Sequence, residues 1–200
     1  MFKTSVIYNP PAMPRARKPK RSKKYLVWID CEMTGLDPKQ HVLLEIATIV
    51  TDYDLEIVAR GPVLAIRQSE AKLGLMDAWN RRTHRKSGLL DRVRDEGVSV
   101  ADAERQTLAF VKRYCYSRTA PLCGNSIGQD RQFLAKYMPA LEDFLNYRVV
   151  DVSSIKVLVK EWYGKKLQPP PKKEQHRALD DIEESIAELA YYRRRLFVRR

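Results

Sequence analysis

The order in which two periodicities follow one another constrains this chain most. Three strand-like segments come first. They are the apolar run Tyr25-Leu26-Val27-Trp28-Ile29, then Val42 to Tyr53, then Glu56 to Arg67 with a bend expected at Gly61-Pro62. Connections this short favour an antiparallel meander. After residue 70 the pattern changes. Residues 70 to 95 read as charged helical pieces broken at Gly74 and Gly88. Ser99 to Tyr116 reads as a helix with Val100, Ala103, Leu108 and Val111 apolar, and with Ser99 and Asp102 forming its N-terminal cap. Strand and helix then alternate. A strand is expected over Ala120 to Gly124, a helix over Gln129 to Tyr137, a strand over Arg148 to Val152, and a helix from Ser153 or Ser154 through Trp162. A proline-rich loop covers Leu167 to Gln175. The last helix runs from Arg177 to Arg195 with Ile182, Ile186, Leu189 and Leu196 on one face. This order predicts an α/β fold, a mixed five-stranded sheet flanked by helices.

Two hundred residues suffice for one packed domain. The charge is uneven. Residues 1 to 24 hold eight Lys or Arg and no acid, which leaves +4 of the net +12 for the rest. Residues 1–23 therefore read as a basic, disordered N-terminal extension able to touch polyanions, and residues 24–200 as the folded domain. No apolar stretch is long enough for a membrane span, and no secretory signal is visible. Cys31, Cys115 and Cys123 form no CxxC pair, which fits a reducing compartment. The cytoplasm is the expected location. The acid-free leader leaves a mitochondrial address as the alternative.

The first strand ends in Asp30-Cys31-Glu32. Residues i and i+2 of a strand point to one side, so these two carboxylates should project together. Such a pair repels and is costly to desolvate unless a cation lies between its members, and hard divalent cations take oxygen ligands. Asp130 follows Gly124-Asn125-Ser126-Ile127-Gly128 and falls near a helix start. His176 and Asp181 follow the proline loop. In α/β folds, sites gather where loops leave the carboxyl ends of strands. On an ideal helix, positions five apart lie about 140° apart, so Asp180 would share a face with His176 better than Asp181. That conflict eases if His176 is still in the loop.

The stretches Trp28-Ile29-Asp30-Cys31-Glu32-Met33-Thr34-Gly35-Leu36, Gly124-Asn125-Ser126-Ile127-Gly128-Gln129-Asp130 and His176-Arg177-Ala178-Leu179-Asp180-Asp181 resemble the oligoribonuclease family. These are 3′→5′ exoribonucleases of the histidine-containing branch of the DEDD superfamily. The resemblance runs from Tyr25 to Tyr192 and implies a ribonuclease H-like sheet. It implies that Asp30, Glu32, Asp130 and Asp181 bind two divalent cations, Mg²⁺ or Mn²⁺, with His176 as general base. It also favours Asp181 over Asp180. Two ions about 3.5–4 Å apart would hold the attacking water, the scissile phosphate and the leaving 3′-oxygen in line.

The same resemblance extends to substrate. Leu36 and Trp79 stand where the family wedges between and stacks on bases. Asn125 and Ser126 are candidates to contact the 3′-terminal sugar or its phosphate. Tyr147 and Arg148 stand where a partner subunit caps the 5′ phosphate. The implied partners are short RNA oligonucleotides, especially dinucleotides, and a second copy of the chain. A DNA-directed or proofreading exonuclease, and a noncatalytic nucleic-acid-binding module, are the rival readings.

Overall fold

The computed structural model describes residues 20–170 and 177–197. Five strands form one sheet. They are β1 (Leu26–Met33), β2 (Leu43–Thr51), β3 (Ile57–Ala65), β4 (Pro121–Gly124) and β5 (Asn146–Asp151), in the order β3-β2-β1-β4-β5. The meander β1-β2-β3 is antiparallel, and β4 and β5 add in parallel on the other side of β1. The mixed sheet expected from the element order is thus the one observed. Parallel neighbours need crossovers, and helices supply them.

Eight helices accompany the sheet among the described residues. They are α1 (Glu70–Leu73), α2 (Ala78–Lys86), α3 (Leu89–Asp95), α4 (Val100–Tyr114), α5 (Gly128–Tyr137), α6 (Pro139–Phe144), α7 (Val152–Tyr163) and α8 (Ala178–Leu196), and a 3₁₀ turn spans Gly164–Leu167. The breaks at Gly74 and Gly88 fall where expected. Ser99 caps α4, its side chain accepting from the Asp102 N–H. The sequence reading does not anticipate α6. It is six residues long and enters on Pro139, too short to show a period.

The alternation of β1 divides the interior in two. Val27, Ile29 and Cys31 pack with Ala103 and Val111 of α4 and with Phe133 and Leu134 of α5. Leu26 and Trp28 pack on the other face with Val159 of α7 and Ile182, Ile186 and Tyr192 of α8. Trp28 is fully buried and donates its indole N–H to Thr51 Oγ1 at 2.9 Å. A third cluster joins Leu44 of β2 to Leu73, Leu89, Leu90 and Val93.

The expected bend in β3 is a register shift, where Ala47 pairs with Val63 and Ile49 with Arg60. Gly61 and Pro62 fill the gap. A Cβ on Gly61 would meet the Phe110 ring at 2.7 Å, so only glycine lets α4 approach there. Arg21 and Ser22, expected within the N-terminal extension, are held by the domain. Ser22 N–H donates to Tyr114 O at 2.8 Å, and Arg21 Nε to Lys112 O at 2.5 Å. Among the described residues, no helix is long and apolar enough to cross a membrane.

Candidate active site

Asp30 and Glu32 occupy the same side of β1 as Leu26 and Trp28, because even-numbered positions of the strand face α7 and α8. Helix α8 begins at Ala178, so Asp181 stands in its first turn. One carboxylate oxygen each from Asp30, Glu32 and Asp181 lies within 4.8 Å of the others. Asp181, not Asp180, is therefore the member of the final pair that joins the strand carboxylates. The helix start explains it, since α8 begins after His176 and helical spacing from that residue does not apply. His176 itself lies among residues 171–176, outside the described residues.

Asp130 sits beside this triad. It lies in the first turn of α5, is 6% exposed, and its Oδ1 accepts the Cys31 N–H at 3.0 Å. That bond fastens α5 to β1 between the two strand carboxylates. The chain thus brings three of the four predicted ligands into one group. The fourth lies against the same stretch of backbone with one oxygen committed to it.

The electrostatics are those of clustered, buried carboxylates. Burial, then the Asp130, Glu32 and Asp181 carboxylates, push Asp30 well above the usual carboxylate range. Burial, then Asp181 and its neighbours, push Glu32 up to about 8. Burial pushes Asp130 up to about 7 against the lowering effect of its Cys31 bond. Close carboxylates of this kind, with oxygen donors alone, suit a hard divalent cation.

The loop after β1 is stiff. Thr34 and Val42 bond each other, with Thr34 N–H to Val42 O at 3.0 Å and Val42 N–H to Thr34 Oγ1 at 3.1 Å. Tyr137 OH donates to His41 O at 2.6 Å, and Gln129 Nε2 donates to Leu36 O. A Cβ on Gly35 would lie 2.5 Å from the His41 ring. On this braced loop Leu36 is 71% exposed. Trp79, in the first turn of α2, is 53% exposed and belongs to none of the three core clusters. Behind it His84 is buried, its Nδ1 3.8 Å from Glu32 Oε2 and its Nε2 3.0 Å from Met33 O. Sequence reading did not single out His84, and its one signal was a histidine on a charged helix.

Asn125 and Ser126 follow β4. The Asn125 side chain is turned inward. Its Nδ2 donates to Ser185 Oγ at 2.7 Å and to Glu188 Oε2 at 3.3 Å, and its Oδ1 accepts from Ser153 Oγ at 3.1 Å. Ser126 is exposed, at a φ of 51°. Its N–H donates to Asp151 Oδ1 at 3.0 Å and to Ser153 Oγ at 2.9 Å. Ser153, read in the sequence only as a helix start, thus holds the backbone of Ser126. Tyr147 and Arg148 lie on the edge strand β5, Tyr147 71% exposed, with the Arg148 guanidinium 4.5 Å from the Tyr147 ring centre. The structure does not bring this pair into the carboxylate group.

A family model described as exonuclease (RNase T) matches residues 27–189. An oligoribonuclease of Aeromonas hydrophila is 56% identical over 176 residues, 88% of this chain and 97% of that protein. An oligoribonuclease of Yersinia enterocolitica is 55% identical over 168 residues, 84% of this chain and 93% of that protein. Among solved structures, the zinc-bound complex of E. coli exonuclease I with single-stranded DNA superposes with a TM-score of 0.68 at 12% identity. It covers 88% of this chain and 41% of that one, so the chain spans about two fifths of the exonuclease I length. This second likeness is one of fold.

Proposed function

Because the chain belongs to the oligoribonuclease family of exonucleases, we propose that it is a metal-dependent 3′→5′ exoribonuclease that cuts very short RNA, dinucleotides above all, to nucleoside 5′-monophosphates. The observation that carries this reading is the convergence of Asp30, Glu32 and Asp181 within 4.8 Å. Bound divalent cations would activate water near neutral pH and draw charge from the phosphate and the leaving 3′-oxygen. Asp30, Glu32 and Asp181 would hold them, and Asp130 would complete the set with the oxygen not given to Cys31. Either Mg²⁺ or Mn²⁺ suits these donors.

The remaining roles belong to the chain's own groups. His176 takes the proton of the attacking water, help typically worth about 10²–10⁴-fold. Leu36 wedges between bases and Trp79 stacks on one, a contact worth about 1–3 kcal/mol per base and tolerant of sequence. Ser126 holds the 3′-terminal nucleotide. Asn125 supports it through Ser153 and Ser185 instead of touching it.

The chain works as a homodimer in this reading. Among the described residues, strand β5 is an unpaired edge exposing Tyr147, Arg148 and Val149, and the following helix α7 exposes Val157, Leu158, Trp162 and Tyr163. A free strand edge and exposed apolar side chains of this kind favour self-association. A partner there would place Tyr147 and Arg148 over a 5′ phosphate and exclude long RNA. Arginine suits that contact through its paired donors.

The test is turnover of a 5′-labelled RNA dinucleotide. Wild type should release mononucleotides, and Asp30→Ala or EDTA should abolish release. Hydrolysis that survives both would refute the reading. Faster cutting of a DNA dinucleotide would favour the DNA-directed rival.

A further inference from the structure

Glu45 is a buried carboxylate, 2% exposed, that the proposed chemistry does not use. It stands on β2 directly opposite Glu32, in the register that pairs Asp30 with Ala47 and Trp28 with Ile49. It therefore faces α8 together with Ala47 and Ile49. Like charges opposite one another across a ladder are unfavourable, and a carboxylate taken out of water is costly unless paired. An apolar residue, as at positions 47 and 49, would fill this site at less cost.

Both Glu45 oxygens are committed. Oε1 lies 2.5 Å from Arg92 Nη1 on α3, and Oε2 accepts the Ala178 N–H at 3.3 Å. Ala178 is the first residue of α8, and its N–H is one of those with no partner within the helix. Arg177, at the N-cap position, makes no side-chain cap bond. Glu45 thus caps α8 from the neighbouring strand, where the positive end of the helix dipole also favours a carboxylate. Three residues further along is Asp181. Arg92, in turn, is fixed through Leu89, Leu90 and Val93 of α3 packed on Leu44. Helix α3 follows α2, which carries Trp79 and His84.

We propose that Glu45 is a positioning residue: bridging Arg92 and the first N–H of α8, it sets where Asp181 stands relative to Asp30 and Glu32 and ties the metal-holding helix to the α2–α3 pair that carries Trp79. The proposal rests on reading Asp30, Glu32 and Asp181 as cation ligands. It gives a reason for a fifth acid in a site already crowded with them.

The experiment is Mn²⁺ calorimetry on the full metal-free chain, with dinucleotide kinetics alongside. Glu45→Gln keeps the shape but loses one of the two contacts. Arg92→Met leaves the carboxylate without its lateral partner. Each should weaken Mn²⁺ binding by about 10–100-fold, the usual cost of losing a residue that orients a ligand. At limiting Mn²⁺, kcat should fall by a similar factor while the dinucleotide KM stays within about twofold. Arg92→Lys should recover most of the affinity.

The sign of the Arg92→Met effect separates geometry from charge. Removing a positive charge near a cation site should tighten Mn²⁺ binding if summed charge alone mattered, and tighter binding would overturn the proposal. Unchanged affinity in folded Glu45→Gln would overturn it too, even if Arg92→Met fails to fold. If wild type itself binds no Mn²⁺, the ligand reading falls and takes this proposal with it. If wild type binds and the variants bind equally, only the proposal falls.

Discussion

Burial and the carboxylates of Asp181, Glu45 and Asp130 push Glu32 from an ordinary 4.5 up to about 8, and Asp130 and Asp30 move in the same direction. A raised carboxylate pKa means that the fold holds the proton more tightly than the unfolded chain does. The stability this contributes is whole below the unfolded value and is lost as pH climbs through the folded one. Without metal, the protein should therefore weaken between about pH 4.5 and about pH 8, as set by Glu32. Cations bind the deprotonated groups and remove the penalty. The rise in melting temperature on adding millimolar Mg²⁺ should thus be larger at about pH 8.5 than at about pH 6, as scanning calorimetry can check. An equal rise at both values would count against the carboxylates as the binding groups.

Elements decide how such residues meet, and here the legibility of the sequence varied for physical reasons. The pairing of Asp30 with Glu32 was readable because a strand repeats every two residues. The place of Asp181 was not, because helical spacing says nothing until the helix's first residue is known. Glu45 was invisible as a special residue. Its bonds to Arg92 and Ala178 cross 47 and 133 positions of sequence, and no local pattern encodes contacts at that range. Helix α6 was missed for its brevity, whereas the break at Gly61-Pro62 announced itself through residue type. The bracing of the loop after β1 by Tyr137 and Gln129 had no local signal, because both residues lie more than ninety positions further on. That bracing yields a prediction. Gly35→Ala should drive the loop against His41 and displace Leu36. It should lower dinucleotide kcat/KM by about 10- to 100-fold, as small misplacements of positioning groups do. The Mg²⁺-induced thermal shift should stay intact. Loss of both would mean that the loop supports the carboxylates as well.

For the whole molecule, the proposed dimer rests on the edge strand β5 and the exposed apolar side chains of α7. Val157 is exposed in the single chain and packs in none of the core clusters. Val157→Lys should therefore leave the fold intact while halving the mass seen in sedimentation. If the partner supplies the phosphate cap, this variant should also lose its preference for dinucleotides over longer RNA in a size ladder. A wild type that sediments as a single chain would remove the dimer from the proposal. The sheet has one more effect, on which ions the protein can accept. Cys31 lies between two of the proposed ligands, yet the pleat sends its sulfur to the opposite layer, where burial keeps the thiol protonated. A soft donor is thereby walled off from hard ones a single residue away. In the proposed reading, an ion held by Asp30, Glu32 and Asp181 meets carboxylate oxygens and no thiolate, a donor set that suits hard ions better than thiophilic ones, and the parity of one strand arranges it.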